Sequence, residues 1–398
     1  MKISFCVSSF PALSQTFVTS QVLHAVRSGH DVTVICKAIE ADTPLSPEDR
    51  EALRRVRIVI WPSPKLGLLT FLPTALRDRL VARLDRDTWR RQIDADVVIA
   101  HFGYRGAAVA RAQRGWRRRP PLVTVFHGRD VSVELRRDHM ARYQDLFAEG
   151  DLHLTVNTPF AKQLISCGAP AARVESHHLG IPVSRYQFSI PDRAGALRFL
   201  SICRLVEKKG LDVAIDALAL LHDRHPEIDW RYDIGGEGPL AAALKAQVVL
   251  AGLESRVSFV GALPHEEVLR RMSQADALLA PSVTAADGDQ EGIPVTLMEA
   301  MALGTPVCAT RHSGIPELVS HCETGLLSDE RDVEGFYANI LSLVQTPQTA
   351  ATMARAARGK VESEFNEDRQ HARLIYRCEM LMAVPQDAAI KMSIPVVK

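Results

Sequence analysis

The chain has 398 residues, 46% hydrophobic and 24% charged, a length for two or three domains and a composition that excludes collagen-like, disordered and small disulfide-framework proteins. Its seven cysteines lie at least fourteen residues apart with no C-x-x-C pair, so they read as reduced cytosolic core thiols rather than zinc or redox sites. The net charge of +1 conceals a split: residues 1–190 hold 27 Lys and Arg against 18 Asp and Glu, a balance of +9, and the remainder carries −8.

Apolar runs of strand length alternate with amphipathic stretches along the chain, the pattern of parallel sheets covered by helices. In the first half, strands are predicted at 3–9, 31–37, 56–62, 96–102, 121–128 and 152–157. The uncharged stretch 3–26 is broken by Pro11 and by Ser, Thr and Gln, which argues against a signal peptide. The longest apolar run, 66–76, holds Pro73 and falls well short of the ~20 residues that a bilayer core requires. Two basic stretches, 78–91 and 111–121, fit either solvated helix faces or a surface that meets phosphate groups. The polar segment 185–195 reads as a hinge.

In the second half, strands are predicted at 197–204, 229–236, 257–263, 275–282 and 306–311. Between the first two, Leu211, Ile215, Leu218 and Leu221 fall on one helical face. The expected architecture is α/β: two Rossmann-like domains facing across a cleft, at 1–190 and 191–362. A C-terminal helix is expected at 363–385, crossing back to the first domain as the resemblance given below implies, with a frayed tail expected at 386–398.

Ligands of open parallel sheets collect beyond the carboxyl ends of the strands. The polar residues Ser8, Ser9, His101, His127, Arg204, Glu237 and Glu291 all follow predicted strands. The segment 291–307, EGIPVTLMEAMALGTPV, places Pro294 at a helix start. The amides of Val295, Thr296 and Leu297 are then open to a phosphate at the positive helix end. Glu299, one turn on, reads either as a carboxylate stabilised by the helix dipole or as the acceptor of a ribose diol. In SICRLVEKKGLD, at 201–212, Arg204 and Lys209 can reach one diphosphate, the first as a bidentate fork and the second as a point charge.

Glu291 and Glu299 eight residues apart, RLVEKKG, the GGEGP turn (235–239) and SGIPELV together resemble the retaining glycosyltransferases of family 4, with the two-domain GT-B fold. FPALSQTFV, FHGRD, VESHHLGI and DGDQEGIP are most similar to bacterial exopolysaccharide enzymes of the colanic acid and amylovoran kind. The chain departs from the family pattern at Gln15, where a Glu is usual, and at Ser8, Ser9 and Phe10, which replace a glycine-rich turn.

The resemblance implies transfer of a hexose from a nucleotide-diphosphate sugar to a hydroxyl of a lipid-linked saccharide, on a polyprenyl diphosphate, with retention at the anomeric carbon. Arg204, Lys209, Val295, Thr296 and Leu297 would hold the diphosphate, Glu299 the ribose, and Gly235, Gly236 and Glu237 the wall of the nucleotide pocket. His127 and Glu291 are the implied catalytic residues, with Ser9, His101 and Asp130 as acceptor or cleft residues. No metal, cofactor or nucleic acid is expected. The rival reading of Asp287-Gly288-Asp289 as a D-x-D metal site stays open, as do a sugar-nucleotide epimerase and a non-catalytic nucleotide-sugar binding protein. The expected location is the cytoplasm, with peripheral attachment to the anionic inner face of the membrane through the basic first half.

Overall fold

The computed structural model describes the whole chain except residues 13–14, 41–44, most of 62–92, 117, 192–194 and 384–398. The chain packs as two compact units, Met1–His177 together with the chain from His371 on, and His178–Gln370. The sequence-based boundaries were 190 and 362. The difference has a local cause at the first boundary, because the start of the expected hinge is packed into the second unit. There Tyr186 is buried, its hydroxyl donates to Glu299, and the Ser189 N–H donates to the Leu303 carbonyl.

In the first unit, β1 (Lys2–Cys6), β2 (Asp31–Cys36), β3 (Arg57–Ile60), β4 (Val97–His101), β5 (Leu122–Phe126), β6 (Leu152–Thr155) and β7 (Val174–Ser176) form a parallel sheet. Its order is β3-β2-β1-β4-β5-β6-β7. β4 and β5 are buried along their whole length. That is why VVIAH and LVTVF read as nearly unbroken apolar runs: helices cover both faces of a parallel sheet. The order reverses direction between β1 and β4, which puts Ser8 and Ser9 beside the loop that follows His101.

In the second unit, β8 (Leu197–Ile202), β9 (Trp230–Gly235), β10 (Val257–Gly261), β11 (Ala277–Ala280), β12 (Val307–Thr310) and β13 (Leu326–Ser328) form a parallel sheet ordered β10-β9-β8-β11-β12-β13. The helix Leu211–Arg224 buries the four residues its periodicity named. The helix Val295–Leu303 is instead buried on nearly all sides. Its apolar residues serve the core, so only its first turn is left for other chemistry. The eleven predicted strands are all present. The strands predicted above do not include β7 or β13; each is three residues long, too short for an alternation to show. The final helix, Glu367–Ala383, begins in the second unit, and from His371 it belongs to the first, where Leu374 and Cys378 enter the core.

Candidate active site

In the second unit the expected donor-site residues gather at the carboxyl ends of β8, β9 and β11. The GGEGP turn after β9 lies flat against the backbone of Cys203–Leu205: a Cβ on Gly236 would sit 1.9 Å from the Cys203 carbonyl oxygen, and one on Gly238 2.3 Å from that of Leu205. Glycine is required for this approach, and hydrogen bonds from Leu205 N–H to the Glu237 carbonyl and from Cys203 N–H to the Gly235 carbonyl then brace the segment that carries Arg204. Arg204 is exposed, with no ion pair to a described residue.

Further along this segment, Val283 N–H donates to the Lys208 carbonyl and Ala286 N–H to the Glu207 carboxylate, tying it to the loop after β11. Lys209 Nζ consequently stands 3.1 Å from Glu291 Oε2, and Lys208 Nζ lies 3.2 Å from Asp289 Oδ1 and 3.4 Å from Glu291 Oε1. Burial would push the Glu291 carboxyl up, but Lys209 and Lys208 more than offset this and hold it below its usual range. Glu291 Oε1 is buried and has no hydrogen-bond donor among the described residues. Its ion pair with Lys208 offsets part of the cost of burial, and water or a ligand can supply the hydrogen bond.

Pro294 precedes the first turn of the helix Val295–Leu303, as expected, with no side-chain cap. One expected anion donor is corrected: Leu297 N–H is spent on the Pro294 carbonyl at 3.1 Å, which leaves Val295 and Thr296 to offer amides. Thr296, Lys209, Cys203 and Ser282 line one small recess, so the helix start and the lysine share a space. Glu299 is buried, and its Oε1 accepts from Tyr186 Oη at 3.0 Å and pairs with His265 Nε2 at 2.9 Å. The same hydrogen bond raises the His265 pKa. Its other oxygen takes no part in these two bonds. Asp289 and Asp287 form a closed turn, with Asp289 N–H on Asp287 Oδ1 at 2.9 Å and the Asp289 carboxylate on Lys208. Among the described residues no three His, Cys, Asp or Glu side chains cluster as metal ligands would.

In the first unit, His101 ends β4 fully buried and His127 follows β5. His101 Nδ1 and His127 Nε2 are 3.1 Å apart, and Phe17 and Phe102 pack on the His127 ring. Desolvation pushes His101 down to about 3, and desolvation followed by the neighbouring His101 and His177 pushes His127 well down, so both rings are neutral. Asp130 is not left to face an acceptor: its carboxylate takes the amides of Gly103 (2.8 Å), Gly128 (2.9 Å) and His127 (3.0 Å), clamping the two loops that bear the histidines. Ser9 sits in a bridge with Ala38 just beyond β1. Its neighbour Ser8 receives Arg105 Nε and Nη2 at 3.2 and 3.1 Å, so the adjacent serine carries the polar network there.

Residues 14–185 match the model for Glycosyltransferase Family 4, and 185–360 that for glycosyl transferases group 1. The chain is 36% identical to the amylovoran biosynthesis glycosyltransferase AmsK of Erwinia amylovora, an alignment that covers 95% of this chain and 100% of that protein. The chain belongs to this glycosyltransferase family. The enzyme is also 33% identical to the putative colanic acid biosynthesis glycosyltransferase WcaL of Escherichia coli, with 92% of this chain and 97% of that one covered. Its fold is shared with HepE of Anabaena, solved with UDP (TM-score 0.74, 20% identity, 96% and 100% covered). It is shared too with the lipopolysaccharide outer core galactosyltransferase WaaB (0.72, 19%, 95% and 99%). The expected family and the expected α/β fold with two Rossmann-like sheets are both borne out.

Sequence reasoning missed Lys208, which reads as one more charge in VEKKG. It also missed Tyr186 and His265, whose partner Glu299 lies 113 and 34 residues away.

Proposed function

We propose that the enzyme moves a hexose, with retention, from a nucleoside-diphosphate sugar to a hydroxyl of a lipid-linked saccharide during assembly of an exopolysaccharide. The observation that carries the reading is the buried Glu291 carboxylate paired with Lys208 and Lys209, the second of which shares a recess with the helix start at Thr296. In this reading Arg204, Lys209 and the amides of Val295 and Thr296 take the diphosphate, Glu299 the ribose, and Glu291 a hydroxyl of the donor sugar. The bond from the anomeric carbon to the phosphate oxygen breaks as the acceptor oxygen bonds to the same face. The acceptor's proton passes to the departing phosphate, whose charge the cations and the helix end stabilise. The neutral His127 serves the reaction centre, and His101 behind it lies on the acceptor side. No metal is needed, and the engagement of Asp289 with Lys208 supports this. The likeness to AmsK and WcaL supports the pathway.

The test separates the two glutamates. Glu299→Ala should weaken binding of the free nucleoside diphosphate about tenfold or more, while Glu291→Ala should spare that binding and depress turnover about 100-fold. Equal loss of affinity in both would overturn the division of roles. Formation of an epimer from a sugar nucleotide without acceptor would favour the isomerase instead.

To reach a lipid-linked acceptor, the enzyme attaches peripherally to the anionic inner face of the membrane. No helix among the described residues is long and apolar enough to cross it. Support comes from the +9 balance of residues 1–190 and from Phe71, which is 93% exposed; the rest of the run 66–76 lies largely outside the described residues. Arg119 is not available for this role, because it forms a bidentate pair with Asp151. Arg118 is exposed. Flotation with phosphatidylglycerol vesicles should succeed and fail with phosphatidylcholine, and Phe71→Ser with Arg118→Glu should weaken it several-fold. Indifference to lipid charge would sink the attachment.

A further inference from the structure

Three consecutive loops at the carboxyl edge of the second sheet are joined by one chain of hydrogen bonds. Glu330 lies in the loop after β13, His312 after β12 and Glu291 after β11, and these strands are neighbours in the sheet. His312 is fully buried. Its Nε2 accepts the backbone N–H of Glu291 at 3.0 Å, and its Nδ1 stands 2.6 Å from Glu330 Oε1. An N–H already points at Nε2, so that nitrogen must be bare and the ring proton must sit on Nδ1, donated to Glu330. Glu330 is fixed in turn: its Oε2 accepts Thr284 N–H at 2.7 Å and its Oε1 the Thr284 hydroxyl at 3.3 Å. Burial pushes the Glu330 carboxyl up, but the Thr284 and His312 hydrogen bonds outweigh it and hold it low.

We infer that His312 and Glu330 are positioning residues of the transferase: Glu330 selects the His312 tautomer, and His312 holds the Glu291 backbone so that its carboxylate meets the donor sugar. This rests on the role proposed above for Glu291. Neither residue is hydrogen-bonded to the lysines or to the Glu291 carboxylate in the contacts described; the bond that ties them to Glu291 is the one to its backbone amide, and a weaker through-space effect of His312 on the carboxyl acts beside it. A carboxylate is suited to the end of this chain because it accepts from two directions. An amide at position 330 would turn a donor toward either Thr284 N–H or His312 Nδ1. In the second case the ring proton would move to Nε2 and confront the Glu291 N–H.

The experiment combines spectroscopy with kinetics on the full chain. Long-range ¹H–¹⁵N correlation of histidine-labelled protein, with His312 assigned by loss of its signals in His312→Leu, should show the Nδ1–H tautomer; an Nε2–H tautomer would overturn the inference whatever the activity. With UDP-glucose and GDP-mannose as donors, release of the nucleoside diphosphate should fall about 10- to 100-fold in kcat in His312→Leu. Affinity for UDP and GDP should stay within about twofold, since the diphosphate cations are untouched. His312→Gln, whose amide oxygen can reach the place of Nε2, should recover most of the loss, and Glu330→Gln should fall between. Unchanged kcat in His312→Leu would overturn the inference, as would equal loss of nucleotide affinity and kcat or failure of Gln to rescue, since these mark a merely structural residue. A wild type that binds neither UDP nor GDP would fail the proposed function instead, and the tautomer would still decide whether the chain of hydrogen bonds exists.

Discussion

The two units place opposite kinds of polar group at the ends of their central strands. In the second unit these are ions in pairs: Lys208 and Lys209 against Glu291 and Asp289, with Arg204 exposed beside them. In the first they are neutral rings, His101 and His127, packed among Phe5, Phe17 and Phe102 and clamped by the backbone bonds of Asp130. Such pairs can be exchanged for pairs with a phosphate only if the released carboxylate keeps another partner, as Glu291 does with two lysines, because a buried charge left unpaired is costly. Dry imidazoles hold a fixed hydrogen-bond direction without charge. One fold, used twice, thus ends its central strands in ion pairs in one unit and in desolvated neutral rings in the other; on the reading proposed above, the ion pairs suit the charged donor and the rings a neutral saccharide.

The largest expected effect breaks the symmetry between the units. Lys209→Ala should lower transfer about 100- to 1,000-fold and weaken nucleoside-diphosphate binding as well, whereas His127→Ala should lower transfer while leaving that affinity unchanged. Isothermal titration with UDP and GDP beside steady-state rates separates them. Loss of nucleotide affinity in His127→Ala would mean that the first unit also holds the donor's nucleotide.

Acid should sharpen the contrast. In the first unit His101 and His371 are lowered to about 3, His153 to about 4, and His127 well below its ordinary value of 6.5, each chiefly by desolvation. A histidine depressed in the folded state contributes stability that is whole above its unfolded value and is lost as pH falls from about 6.5 toward the folded value. The loss is roughly 1 kcal/mol per pH unit for each ring. Asp130, raised by burial, offsets part of this. In the second unit His265 is raised, so its contribution is whole below 6.5 and lost only as pH rises through its folded value. Glu291 and Glu330 are lowered, so theirs is lost only below about 4.5. Between pH 6.5 and 5 the first unit should therefore loosen first. Hydrogen exchange at pH 7.5 and 5.5, corrected for intrinsic rates, should show protection falling in β4 and β5 before β11 and β12; the reverse order would refute the assignment of buried neutral rings.

The smallest effect concerns the acidic turn. Asp287→Asn should change turnover less than about twofold, because among the described residues its side chain accepts one hydrogen bond, from Asp289 N–H within the turn. EDTA should leave turnover intact, and restoration by Mn²⁺ after chelation had abolished it would revive the D-x-D metal reading.

How much the chain discloses without its fold depends on the range of the interaction concerned. Strands buried on both faces, such as β4 and β5, must be runs of apolar residues, and the partly exposed β3, β9 and β10 keep enough apolar positions to be read as well; the helix start at Pro294 and the cations of RLVEKKG were legible because these too are local in sequence. The resemblance carried the family on the same local motifs. The division of labour at each motif was not local. Leu297 lost its expected amide role to a bond within its own helix turn, and Asp130 lost its acceptor role to three backbone amides from two loops. Glu299 acquired Tyr186 from a segment that composition marks as a hinge. His312 and Glu330 look like ordinary loop residues until the strand order sets β11, β12 and β13 side by side; only that adjacency, a product of tertiary packing, turns residues 18 and 21 positions apart into a chain that ends on Glu291.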